Sequence, residues 1–168
     1  MISCLPFVTF DALPLDEANA LLVEWGHRMG PCNRPDFGDV FAHALRHEGE
    51  PVAVTVTTGL VREHVGGGLT HLTRRNTVEL ARLCADRPGL CRVALRLWRM
   101  FVLPPLGKTA VSYQDADLHN GATYRFDGWK RAAYSRGGSV DQRTGRRGRN
   151  RWIWVYPPEA ALDTQTEG

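Results

Sequence analysis

Long apolar runs are missing from this chain. No window approaches ~18 uninterrupted apolar residues, so no membrane-spanning helix is expected. Cysteine is sparse: Cys4, Cys32, Cys84 and Cys91 show no C-x-x-C spacing. That excludes finger-type zinc. With no basic leader in the first residues, it also argues against the disulfide framework of a small secreted domain, and the thiols are expected to be buried or idle. Lysine is scarcer still. Lys108 and Lys130 stand alone among 21 basic residues, and the rest are arginine, a bias that suits phosphate binding and a GC-rich genome equally. The histidines at 27, 43, 47, 64 and 71 show no ligand spacing, so no metal site is expected.

What is present reads as an ordinary intracellular globular protein. The 168 residues are 43% hydrophobic and 23% charged, enough for one domain spanning 1–168 with a substantial core. The net charge of +3 is unevenly placed. Residues 136–151 hold Arg136, Arg143, Arg146, Arg147, Arg149 and Arg151 against a single aspartate, so the rest of the chain is net negative. Tyr134, Trp152 and Trp154 flank this Gly-rich stretch. Arginines that reach phosphates beside aromatics that stack on bases are the ingredients of a nucleic-acid surface. A solvated loop is the competing reading.

Periodicity gives the order β-α-β-β-β-α-β-α-β-β, an α+β arrangement of a mixed sheet with helices on both faces. A strand is expected at residues 3–10, and a helix at 15–27 with Leu15, Ala18, Leu21, Leu22 and Trp25 on one face. A Pro/Gly loop follows at 28–38. A hairpin comes next, with strands at 40–45 and 51–60 around a turn at 47–50. Gly66, Gly67 and Gly68 read as a flexible loop. A strand at 77–84, a turn at 86–89 and a helix at 90–103 ended by Pro104-Pro105 precede a strand at 109–113, a polar turn at 114–117 and a helix at 118–127. Strands at 130–134 and 151–156 finish the fold, before a frayed tail from 157.

Two stretches carry chemistry. The turn Asp86-Arg87-Pro88-Gly89-Leu90-Cys91 leads into a helix N-terminus, a setting in which backbone N–H groups can cradle a pyrophosphate. Arg87 and Arg92 add charge there, and a plain strand-to-helix turn is the alternative. Downstream, Asp115 stands at the C-terminal edge of a strand, where open sheets place their chemistry. It reads either as an acceptor for an amine proton or as a turn cap. Asp117 is the expected helix cap. His119 in the first helical turn would be held neutral by the helix dipole, or serve structurally. Tyr124 is either a proton donor or a core aromatic, and Trp129 is core. Glu79 and Arg82 on a central strand are costly to bury unless matched.

Strand, polar turn, Tyr-bearing helix and trailing Gly128 together resemble an acyl-CoA-dependent N-acyltransferase core. The stretches GEPVAVTV and VELARLC, the group Ser112-Tyr113-x-Asp115, and His119-x-Gly121-x-x-Tyr124-x-x-x-Gly128-Trp129 resemble the Mom-like branch of the GNAT acyltransferase superfamily, a phage branch that modifies DNA adenine. The resemblance implies a GNAT-like, mostly antiparallel mixed sheet, acetyl-CoA or a related acyl-CoA as cofactor, DNA as partner and the cytoplasm of a bacterial host as location. It leaves a homodimer open. It makes Arg82 a cofactor-side residue and Asp115 catalytic, and it matches Tyr124 to the superfamily's tyrosine. From the residues themselves, His119 joins the catalytic set, and Leu83, Cys84, Arg87, Gly89 and Arg92 join the cofactor side. With DNA as acceptor, a flipped adenine is the expected target and the six arginines are the expected grip on phosphates, although the Arg/Gly insertion at 136–151 is a departure that the motif does not predict. The loop departs from the usual Q/R-x-x-G-x-G/A, with Asp86 first and Cys91 last. The alternatives are a GNAT enzyme acting on a protein or small-molecule amine, and a non-catalytic GNAT-shaped phage binding protein.

Overall fold

The structure is a computed structural model that describes residues 7–34, 40–138 and 148–162. Its strands are β1 (Val8–Leu13), β2 (Phe41–His47), β3 (Glu50–Thr58), β4 (Thr77–Ala85), β5 (Thr109–Asp115), β6 (Lys130–Ser135) and β7 (Arg151–Tyr156). Its α-helices are α1 (Leu15–Glu24), α2 (Leu90–Leu97), α3 (Leu103–Leu106) and α4 (Ala122–Phe126). The strands form one mixed sheet in the order β1-β2-β3-β4-β5-β7-β6. The β1–β2, β2–β3, β5–β7 and β6–β7 pairs are antiparallel and β4–β5 is parallel. The element order is the one that periodicity gives, except that the single helix expected at 90–103 is α2, a π-turn and α3 in succession, and a 3-10 turn at Pro158–Ala161 follows β7. The chain forms two compact units, one of residues 1–59 and 80–106, the other of residues 60–79 and 107–168.

In the first unit, side chains alternate across the β2–β3 hairpin. Ala42, Ala44, Val54 and Val56 bury against Ala18 and Leu22 of α1. Ala53, from the opposite side of β3, packs with Leu45, Ala94 of α2 and the half-buried Leu83. The two helices therefore cover opposite faces. Helix α1 is shorter than the spacing suggests. Gly26 adopts φ +65, and its N–H bonds Val23 O while His27 N–H reaches back to Leu22 O, which closes the helix with a left-handed cap.

Beyond α2 the helix does not stop at Pro104. Residues Trp98–Val102 form a π-helical turn, Leu103 N–H bonds Trp98 O, and Leu103–Leu106 continue as a helical turn containing both prolines. Trp98 is fully buried and donates its indole N–H to Thr57 Oγ1 at 2.8 Å.

In the second unit, β4 pairs with β5 at Thr77/Thr109, Val78/Ala110 and Glu79/Val111. One face of β5 and β7 carries Val111, Ile153 and Val155, covered by Leu60, Val65, Leu69 and Leu72. The Gly66–Gly68 stretch is a loop, as expected, but one of its glycines packs against β6. A Cβ built on Gly67, at φ +71, would stand 2.6 Å from Ala133 Cβ, so only glycine lets the backbone approach that closely. Arg74 ties the same segment together through Leu60 O at 3.0 Å. Asn76 does so through Thr73 N at 2.7 Å and His71 O at 2.9 Å.

Candidate active site

Strand alternation places Ser112 and Gln114 of β5 on one face, beside Trp154 of β7, which pairs with Ser112. Tyr124 of α4 sits on that face. Its hydroxyl lies 2.8 Å from Ser112 Oγ, its ring stacks on Trp154 with centroids 5.5 Å apart, and it meets Trp129 edge-on at 5.4 Å. Trp154 donates its indole N–H to Gln114 Oε1 at 2.7 Å, and Gln114 Nε2 donates to His119 O. Trp129 is buried, as its sequence context suggests, and donates to Asp127 Oδ2 at 3.1 Å. Tyr124 is therefore held by two rings and a hydroxyl at the start of a short helix. Gly121 makes this close approach possible: at φ +76, a Cβ there would stand 2.3 Å from the Trp154 ring and 2.9 Å from Gln114 Oε1. Sequence reading left Ser112 and Gln114 without a role. Their two-residue spacing on a strand was the available signal.

Helix α4 begins at Ala122, not at residue 118. His119 therefore lies in the preceding turn with an exposed side chain, and the dipole argument does not apply to it. Asp117 does not cap the helix. Asn120 Oδ1 accepts the Ala122 N–H at 3.0 Å instead. Asp115 closes a local turn: its Oδ1 accepts Asp117 N–H at 3.1 Å, and Arg149 Nη1 stands 3.9 Å from its Oδ2. By alternation Asp115 belongs to the strand side opposite Ser112 and Gln114. The structure thus brings Tyr124, Ser112, Gln114 and Trp154 together, and leaves Asp115 at the rim of that group.

The cofactor-side candidates lie in the first unit. Arg82 is buried and spends its guanidinium on carbonyls: Nε on Gly30 O at 3.0 Å, Nη2 on Pro31 O at 3.2 Å, Nη1 on Ala81 O at 2.8 Å. It clamps the loop after α1, which answers the cost of burying it. Asn19 helps by accepting Cys32 N–H at 2.7 Å. Leu83 and Cys84 face the two clusters on either side of β4. Arg87 and Asp86 form an exposed two-pronged pair, both bonds 2.9 Å, and the hydrogen bond from Arg87 lowers the Asp86 carboxyl below its ordinary range. Gly89 is the left-handed N-cap of α2, with no side-chain cap among the described residues and no acid in the first turn. Arg92 is exposed nearby. An uncapped N-terminus beside Arg87 and Arg92 fits a pyrophosphate by donor chemistry. Cys91, in this turn, is pushed up to about 11 by burial first and by neighbouring Cys84 second. Burial overrides the lowering a helix N-terminus usually brings.

Of the six arginines of the nucleic-acid reading, Arg143, Arg146 and Arg147 lie outside the described residues. Arg136 is exposed, whereas Arg149 and Arg151 are partly buried, Arg151 pairing across to Asp115 and Ser135. Trp154, 3% exposed and packed under Tyr124, cannot offer a face to a base. Trp152 is less buried, and Arg131 stands 4.3 Å above its ring.

Comparison with known proteins identifies the fold. No protein-family model matches the chain, and no curated protein matches it in sequence. Solved structures do. The ribosomal-protein-S18-alanine N-acetyltransferase from Escherichia coli superposes with a TM-score of 0.60 at 17% identity, over 89% of this chain and 92% of that one. Arabidopsis thaliana NAA60 in complex with acetyl-CoA gives 0.60 at 13% identity, over 89% and 98%. A spermidine N-acetyltransferase from Vibrio cholerae gives 0.58 at 8% identity, over 94% and 98%. The chain therefore has a GNAT-like fold: a mixed, mostly antiparallel seven-stranded sheet flanked by helices.

Proposed function

We propose that this chain is an acyl-CoA-dependent N-acyltransferase whose acceptor is an amine on a protein or a small molecule. One observation carries the reading. In a fold shared with N-acetyltransferases, Tyr124 presents a hydroxyl, fixed by Ser112 at 2.8 Å and by stacking on Trp154, on the helix that follows β5. Bound acyl-CoA supplies an activated acyl thioester. Tyr124 Oη holds a proton that it can deliver to a leaving group, and Ser112 Oγ orients it. Asp115 is the candidate proton acceptor. The N-terminus of α2, with Arg87 and Arg92, is the candidate pyrophosphate cradle, and Arg82 keeps the loop at Gly30 and Pro31 in place. The named neighbours act on a ribosomal-protein alanine and on spermidine, which favours a protein or polyamine acceptor over a nucleobase.

The finer reading drawn from the phage resemblance, transfer to the exocyclic amine of adenine, finds no support in these comparisons. Both readings meet one experiment. The full chain is incubated with acetyl-CoA and, separately, with spermidine, peptides with free N-termini, and DNA. Thiol release and product mass are followed. A thermal midpoint raised by acetyl-CoA and turnover on an amine are expected, with binding at ~100 Kd contributing about 2.7 kcal/mol. A midpoint unmoved by saturating acetyl-CoA sinks the enzymatic reading. A new nucleoside after DNA digestion transfers the acceptor to DNA.

A further inference from the structure

Strands β6 and β7 pair in register at Lys130/Val155 and Arg131/Trp154, then slip by one residue, so that Ala133/Ile153, Tyr134/Trp152 and Ser135/Arg151 face each other. Ala132 is the extra residue of a β-bulge. In an unbroken strand, residues 131 and 134 point to opposite faces. The bulge puts both on one face, with Trp152 and Trp154. The consequence is measurable: Arg131 Cζ lies 4.3 Å over the Trp152 ring, and the Tyr134 and Trp152 rings are 4.6 Å apart. Tyr134 is 40% exposed, and β6 is the last strand of the sheet. Neither β6 nor β7 contains an acidic residue, while Lys130, Arg131 and Arg136 are exposed. A bulge on an edge strand that aims an arginine at an indole, beside an exposed phenol and away from any carboxylate on its own strands, is a device for a flat, anionic ligand.

We propose that Arg131, Tyr134 and Trp152 form a binding surface for single-stranded nucleic acid, with a base stacking on the exposed Tyr134 ring beside Trp152 and a phosphate meeting Arg131. A duplex hides its base faces, so single strands are preferred. An acidic peptide satisfies the cations but leaves the rings without a stacking partner. The surface shares its sheet face with Trp154, and its test does not depend on acyl transfer.

The test uses the full chain and a fluorescein-labelled oligothymidylate of about 16 nucleotides, followed by fluorescence anisotropy from low to moderate salt. Tyr134→Ala removes an exposed ring and leaves the core intact. It is expected to weaken binding roughly ten-fold with an unchanged salt slope, as the loss of one stacked base does. Arg131→Gln is expected to flatten the salt slope by about 0.7, one single-strand phosphate contact. Trp152→Leu, checked for folding by its thermal midpoint, is expected to behave as Tyr134→Ala does. The proposal is overturned if Tyr134→Ala binds like the parent, or if polyglutamate or polyphosphate of equal charge competes as well as the oligonucleotide. Tighter binding to duplex than to single strand overturns it too.

Discussion

The two units solve burial with different materials. The first uses aliphatic and small side chains, with α1 and α2 pressed on Val54, Val56 and Ala53. Its interior polar groups, Arg82 and the Trp98 indole, are tied to backbone carbonyls and to a threonine. The second backs its sheet with aliphatics on one face but lays a polar and aromatic assembly on the other: Ser112, Gln114, Tyr124, Trp129 and Trp154. Burial of alkyl groups is non-directional and tolerates change of shape if volume is kept. Hydrogen-bonded rings are directional, so each member fixes the next. The lesson is that the second unit holds its chemistry rigidly and is the more fragile to small changes.

The largest expected effect breaks that assembly at its reactive end. Tyr124→Phe keeps the stacking on Trp154 and removes only the hydroxyl. Turnover is expected to fall by about 10²-fold or more while the thermal midpoint moves little, as read from steady-state kinetics beside a melt. Asp115→Asn retains an acceptor for Asp117 N–H, and its loss of turnover, set against that of Tyr124→Phe, decides whether the rim carboxylate takes part. Gly121→Ala comes next. Left-handed backbone and the clash with Trp154 together are expected to cost about 2 kcal/mol or more, a drop of several degrees in a melt. Gln114→Leu leaves the Trp154 indole N–H and His119 O without their partner and is expected to cost about 1–3 kcal/mol. Ala53→Gly in the first unit, a loss of one methyl, is the contrasting control with the smaller change.

Two titrations sharpen the comparison from the other side. His43 lies between Phe10 and Phe41, with ring centroids 5.6 and 5.8 Å away, and its Nδ1 has no hydrogen-bond partner among the described residues. Burial lowers its pKa below the ordinary 6.5, with Asp11 acting in the opposite direction. The unfolded chain therefore takes up this proton more readily than the folded one. Stability is unaffected well above pH 6.5 and falls as pH drops through that value toward the lower folded one. His43→Phe is expected to flatten that part of a melt-versus-pH curve. The smallest effect is at Cys91, whose thiol, raised to about 11, stays protonated at neutral pH. Alkylation is expected to be negligible at pH 7 and to accelerate only in strong alkali, read by mass spectrometry.

Much of this was legible in the chain. Alternation and helical spacing gave the order of elements, the hairpin around Gly49 and the strand of residues 77–84, because those patterns depend on period alone. Where a local rule met a tertiary partner, the partner won. The three glycines at 66–68 read as flexible, yet Gly67 packs against Ala133. Pro104 read as a stop, yet the π-turn at Trp98–Val102 carries the helix past it. The helix of Tyr124 was expected from residue 118, yet Asn120 and Gly121 set its start.

The sequence by itself determined which residues could be interior and in what order strands and helices occur. It also supplied the reactive types: a tyrosine after a strand, a glycine before a helix, arginines beside aromatics. Only the tertiary structure decided their roles. Ser112 and Trp154, far apart along the chain from each other, became the supports of Tyr124. Asp115 turned to its own backbone, and one extra residue in β6 swung Arg131 onto Trp152. The physical reason is that periodicity records which side a residue faces, whereas hydrogen bonds and ring contacts depend on what a distant strand brings to that side.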